Sequence, residues 1–209
     1  MTEEREIDQP HIRLVETPGG ETTLWIDDAQ AMQGWERELM WDSADLLCTY
    51  GTEFLEAGLG LGLSALRIAS NRRTRKHVVV EKYAPVIELF RERTPDVPPT
   101  LEIVNADFFD YVRQMPAASV DGIFFDPYLV SVATWKDVDF WNEMVPLIRQ
   151  TLRPGGAFIP CFSTEPVLRW PFFYFFERVV VERRSYTTYA ATQYMLERSS
   201  DAYIECFIK

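Results

Sequence analysis

Histidine, cysteine and basic side chains are the scarce members of this 209-residue chain. There are two histidines, His11 and His77, and three cysteines, Cys48, Cys161 and Cys206, far apart and with no C-x-x-C pair. That set has no zinc-ligand spacing and, being odd in number, no disulfide framework. The expectation is free, buried thiols in a cytoplasmic protein, and no metal. No apolar run approaches the roughly 20 residues that cross a bilayer, and the opening Met-Thr-Glu-Glu-Arg-Glu is wrong for a secretory signal, so no membrane partner is expected. Lys and Arg number 21 against 32 Asp and Glu, a net charge of −11. Such a surface repels phosphate backbones and attracts cations, which argues against nucleic acid and for a small cationic partner.

What is present is a globular composition, 47% hydrophobic and 25% charged, in a chain long enough for one full core. Residues 1–28, with Pro10, Pro18, Gly19 and Gly20, read as an irregular lead-in. Between Ala29 and Leu47 the apolar residues recur near helical spacing, which predicts one helix or two short ones with Asp27 or Asp28 as N-cap. After Gly51 the pattern alternates. Strands are predicted over 54–57, 77–81, 101–105, 120–125 and 157–162, and helices over 63–70, 85–93, 108–114 and 137–152. Segments 177–184 and 202–208 read as a closing antiparallel pair, with a short helix before them in 166–176. This is the pattern of an α/β, doubly wound, mainly parallel sheet. We expect one structural domain over 51–209 and a helical lid in 1–50, in a monomer or homodimer.

The chemistry-bearing signals fall where those strands end. Glu56-Ala57-Gly58-Leu59-Gly60-Leu61-Gly62 joins a strand to a helix, so a ligand can lie against the backbone. A dinucleotide fingerprint would need its third glycine at Leu63. The spacing instead resembles motif I of class I S-adenosylmethionine (SAM) methyltransferases. That resemblance implies a Rossmann-like fold, SAM as cofactor and Glu56 as a holder of its ammonium, with a tight packing turn as the alternative. Glu81 ends the next strand, where a carboxylate can accept from a ribose diol. Asp107 follows the third strand as a candidate for the adenine amino group or simply a helix N-cap, and Phe108 is placed to pack on the ring. Asp126 ends the fourth strand, where the methyl acceptor sits in this fold.

A closer resemblance follows from two segments. Asp121 to Trp135, D-G-I-F-F-D-P-Y-L-V-S-V-A-T-W, and Met32 to Met40, M-Q-G-W-E-R-E-L-M, are similar to guanidinoacetate N-methyltransferases and to related arginine N-methyltransferases. The resemblance covers roughly Met32 to Thr164. It implies that Glu36 and Asp126 are catalytic carboxylates holding a guanidinium, with Asp126 also beside the cofactor. Trp35, Met40, Tyr128, Trp135, Ser163 and Thr164 are the further acceptor contacts it implies. Three departures stand out. Pro127 follows Asp126 in place of threonine, Arg37-Glu38-Leu39 replaces a Thr-Pro-Tyr stretch, and Phe162-Ser163-Thr164 replaces the Asn-Leu-Thr stretch whose backbone resembles a carboxylate clamp. The expected function is methyl transfer from SAM to a guanidino nitrogen of a small molecule such as guanidinoacetate, arginine or a guanidino metabolite. Another small amine or a protein arginine is the alternative acceptor, and a non-catalytic or NAD-binding doubly wound domain the alternative class.

Overall fold

The computed structural model of the chain describes residues 10–128, 136–195 and 197–209. Its first elements correct the expected lead-in. Ile12–Glu16 (β1) and Thr22–Ile26 (β2) pair antiparallel, and Ala29–Gln33 (β3) pairs back onto β2 to complete a three-stranded sheet. Asp27 and Asp28 form the two-residue loop between β2 and β3, with Asp27 at φ 52°. Aspartate tolerates that left-handed conformation, so these residues make a hairpin rather than a helix cap. Burial of Leu24, Ile26 and Met32 holds the small sheet down. The expected helix over 29–47 therefore gives its first five residues to β3. A 3-10 turn at Gly34–Glu36 leads into α1, Arg37–Leu47.

The element that overhangs the cavity described below is this small sheet, not a helical lid. Helix α1 buries Met40, Ala44 and Leu47 in the main core and packs on α2, Leu63–Ala69.

Glu53–Ala57 (β4), Lys76–Glu81 (β5), Leu101–Asn105 (β6), Val120–Phe125 (β7) and Leu152–Pro160 (β8) run parallel. Arg178–Thr187 (β9) and Ser199–Ile208 (β10) complete a seven-stranded sheet of order β6-β5-β4-β7-β8-β10-β9. The antiparallel strand is β10, which pairs with both β8 and β9, leaving β9 at the edge. Continuous apolar runs suit strands buried on both faces. Phe124 faces the core under α1, α2 and Ala84–Arg93 (α3). Ile123 and Phe125 face the opposite core, under Phe108–Arg113 (α4), Val138–Thr151 (α5) and Trp170–Phe173 (α6). Pro146 lies inside α5 without ending it.

This is the expected α/β, Rossmann-like, mainly parallel fold. After β6 the chain returns past β4 to form β7, so the strand order reverses between β4 and β7. Ligands of open α/β sheets bind outside the carboxyl ends of the strands at such a reversal.

Candidate functional site

A cavity of about 450 Å³ opens at that point, a volume in the range of small-molecule sites. Gly58 and Gly60 after β4, Glu81, Lys82 and Tyr83 at the end of β5, Asp107 and Phe108 after β6, and Asp126, Pro127 and Tyr128 after β7 form its floor and walls. Leu24, Ile26, Ala31 and Met32 of the small sheet close it from above.

Backbone geometry shapes the floor. Gly58 has φ 85°, and a Cβ there would lie 2.5 Å from the Asp126 carbonyl oxygen, so β4 and β7 approach this closely only with glycine. The backbone N–H of Leu61 points at Met32 Sδ, 3.2 Å away, which seats the small sheet on the loop. Gly62 caps α2 at φ 74°, with the Phe90 ring where its side chain would be; it packs rather than lines the cavity.

Glu81 is 6% exposed and fixed by two backbone donors, Leu59 N–H to Oε2 and Tyr83 N–H to Oε1, each at 2.8 Å. Burial pushes its pKa up while those donors favour the charge. Asp107 caps α4 through Phe109 N–H at 2.9 Å and meets Lys82 Nζ at 3.1 Å, yet it also lines the cavity, as does Phe108. Both expected roles of Asp107 are therefore open to it.

Glu56 departs from expectation. It is 1% exposed, accepts from the Ser64 hydroxyl and has His77 Nε2 2.9 Å from its Oε2, and it does not line the cavity. In place of the expected contact with the cofactor ammonium, the carboxylate braces the strand beneath the glycine loop.

The two carboxylates expected to hold an acceptor are Glu36 and Asp126. Glu36 sits at the end of the 3-10 turn, and its Oε1 folds back to accept from Gln33 N–H at 2.6 Å, a capping-box bond. Burial raises its pKa to about 8, and the Asp126 charge adds to the effect. Asp126 lines the cavity and receives a hydrogen bond from the Cys161 thiol. Burial raises its pKa to about 7. Burial also drives the Cys161 thiol well above its ordinary value, helped by the Asp126 and Glu36 charges. Glu36, Asp126 and Cys161 therefore form one electrostatic cluster, built from the turn after β3 and the ends of β7 and β8.

Of the remaining expected contacts, Tyr128 lines the cavity. Trp35 instead packs on Tyr186, Tyr194 and Phe162, with its indole N–H bonded to Gln33 Oε1 at 2.9 Å. Met40 is wholly buried in the core and does not line the cavity. The Ser163 N–H donates to Tyr203 O at 2.9 Å, so one amide of the expected clamp is already engaged. Thr164 is exposed, and Trp135 lies outside the described residues. Sequence reasoning missed the small sheet and Tyr194, whose hydroxyl donates to Glu36 Oε1 at 2.6 Å. The β-branched and aromatic run Thr22 to Ile26 before two aspartates was a usable hairpin signal for the first; nothing local marks the second.

The three cysteines are free. Among the described residues, no group of three or more His, Cys, Asp or Glu is placed to hold a metal ion, and no helix is long and apolar enough to cross a membrane.

Comparison with known proteins agrees with this geometry. Among solved structures, the chain is similar to spermidine synthase from Thermotoga maritima, with a TM-score of 0.73, 18% identity, 97% of this chain and 70% of that one covered. It is also similar to a SAM-dependent methyltransferase from Archaeoglobus fulgidus, with a TM-score of 0.55, 14% identity, 83% of this chain and 94% of that one. At these identities both likenesses concern the fold. A curated relative, protein arginine N-methyltransferase 2 of Yarrowia lipolytica, is 28% identical over 156 residues, 70% of this chain. The chain spans 31% of that relative's length. The profile of guanidinoacetate N-methyltransferases matches residues 16–167, from the small sheet past Asp126 and Cys161. The cavity at the reversal of strand order is the candidate functional site, and the chain belongs to the guanidinoacetate N-methyltransferase family.

Proposed function

We propose that this protein methylates a guanidino nitrogen of a small molecule, guanidinoacetate, arginine or a guanidino metabolite, using SAM. The observation that carries this reading is the pair Glu36 and Asp126. They come from distant parts of the chain, Glu36 buried beneath the 3-10 turn and Asp126 half-buried at the cavity, and the charge of Asp126 opposes that of Glu36. Carboxylates whose charges oppose one another are costly until a cation lies between them. A guanidinium is planar with a fork of N–H donors, which matches carboxylates on two sides.

The cofactor fits the cavity. Gly58 and Gly60 leave room along the backbone, the Glu81 carboxylate is held for a diol, and Phe108 and Asp107 stand at the far wall. When bound, SAM supplies an electrophilic methyl group on a sulfonium sulfur. The chain's own residues do the rest. Glu36 and Asp126 fix the plane of the guanidinium and aim one nitrogen, which matters because the reaction needs near-attack geometry. A guanidinium stays protonated far above neutral pH and has no free lone pair, so that nitrogen loses a proton as its bond to carbon forms. Asp126 takes it.

The test is a mass-spectrometric screen of guanidino compounds with SAM for a gain of one methyl. A product from a small guanidine supports the reading. Methylation only of arginine in a protein would move the assignment toward the activity in the Yarrowia lipolytica relative's name. Methylation of unrelated amines alone would reject it.

A further inference from the structure

Among the described residues Glu36 Oε1 is engaged twice, by Gln33 N–H and by the Tyr194 hydroxyl, each at 2.6 Å, while Oε2 takes no hydrogen bond. Tyr194 lies 158 residues from Glu36, in the loop between β9 and β10. That loop is laced to β3. Gln30 Nε2 donates to Ala191 O at 2.9 Å, Gln193 N–H donates to Gln30 Oε1 at 2.8 Å, and the Thr192 hydroxyl donates to Gln33 Oε1 at 2.6 Å. The Tyr194 ring stacks on Trp35 at 6.2 Å. The residue is 41% exposed, yet its one polar atom turns inward onto a buried carboxylate.

We propose that Tyr194 is a positioning residue of the acceptor site, fixing Glu36 so that its second oxygen meets the guanidinium. This inference rests on the function proposed above. An O–H donor stabilises the charged carboxylate, and only the charged carboxylate grips a cation. The groups facing Glu36 make that help necessary. Asp126 and Cys161 bring negative or ionisable groups from the ends of β7 and β8, and the field of Arg169 reaches those two. The Tyr194 hydroxyl itself stays protonated, since burial and then the Glu36 charge raise its pKa far above its ordinary value.

The test is calorimetric titration of the full chain, saturated with S-adenosylhomocysteine, with methylguanidine from pH 6 to 9. In the parent, affinity rises with pH as Glu36 and Asp126 ionise. In Tyr194→Phe it falls about 10-fold at pH 7, and the rise moves up by about one pH unit, because a charge-assisted hydrogen bond is gone. Gln30→Ala loosens the loop without removing the hydroxyl and keeps the parental pH profile. If Tyr194→Phe kept that profile and only melted earlier, or if Gln30→Ala shifted it equally, Tyr194 would be a loop fastener and the inference would be overturned. If the parent bound methylguanidine at no pH, the guanidino reading would fall and this inference with it.

Discussion

The two halves of the site are held by different means. On the cofactor side, the parts are backbone and a single rigid carboxylate: glycines at positive φ, and Glu81 pinned by Leu59 and Tyr83. On the acceptor side they are side chains brought from four places, Glu36 before α1, Asp126 after β7, Cys161 after β8 and Tyr194 from the β9–β10 loop. The two buried glutamates on either side of the glycine loop show the contrast most sharply. Glu56 has a histidine and a hydroxyl against it and no access to the cavity. Glu36 has hydrogen-bond donors but faces another carboxylate. Glu56 is tied to the strand beside it, whereas Glu36 and Asp126 are, on the proposed reading, completed by a cation.

Replacing each member in turn breaks or sharpens this contrast. The largest effect is expected at Asp126. Asp126→Asn keeps the shape but takes no proton, and should lower single-turnover methyl transfer by roughly 10²–10⁴-fold with SAM affinity preserved. A variant keeping more than about a tenth of the parental rate would hand the proton to another group, with Glu36 the first candidate. Next is Glu81→Ala, which removes both oxygens proposed to accept from the ribose. Calorimetry should record a loss of about 2–3 kcal/mol in SAM binding, and affinity within twofold of the parent would remove Glu81 from the ribose.

Glu56→Gln comes third. It disturbs a buried arrangement with His77 and Ser64 and should cost about 1–3 kcal/mol of stability in denaturant unfolding, while the KM for the acceptor stays put. A raised acceptor KM at full stability would place Glu56 in the working site after all.

The smallest effect is a gain. The folded pKa of Glu36 is about 8 against an ordinary 4.5, so the folded state binds the proton more tightly than the unfolded chain. Stability therefore falls as pH rises from about 4.5 through 8. Glu36→Gln lacks this penalty while its amide oxygen still accepts from Gln33 and Tyr194. It should be more stable than the parent by about 1–2 kcal/mol at pH 9, a few degrees in Tm, and no more stable at pH 5. Equal melting curves at both pH values would mean that Glu36 is not under electrostatic strain.

The cofactor half was largely legible because its parts are local in sequence. Each strand is followed within a few residues by the side chain it presents, so Glu81 and Asp107 could be placed from strand ends alone, as could Asp126 of the acceptor half, and β7 was placed to the residue. The glycine loop was found too, but sequence could not show which way Glu56 turns, since that depends on His77 in the neighbouring strand. The acceptor half was legible only through resemblance at Glu36. The hairpin of β2 and β3 was read as loop and helix because its strands are five residues each and carry mixed polarity. Tyr194 was invisible, since contacts between residues 158 apart leave no periodic trace.

The position of β10 sets an order of assembly. Strand β9 precedes β10 in the chain but touches the rest of the sheet only through it. It cannot dock before β10 is present, whether β10 adds to β8 first or the two strands arrive as a hairpin. Tyr194 rides on the tip of that hairpin. A partly assembled chain can therefore complete the glycine loop and its cavity floor while the acceptor carboxylate still lacks its hydroxyl partner. On the proposed reading, the hold on the acceptor is complete only once the β9–β10 pair has closed the sheet.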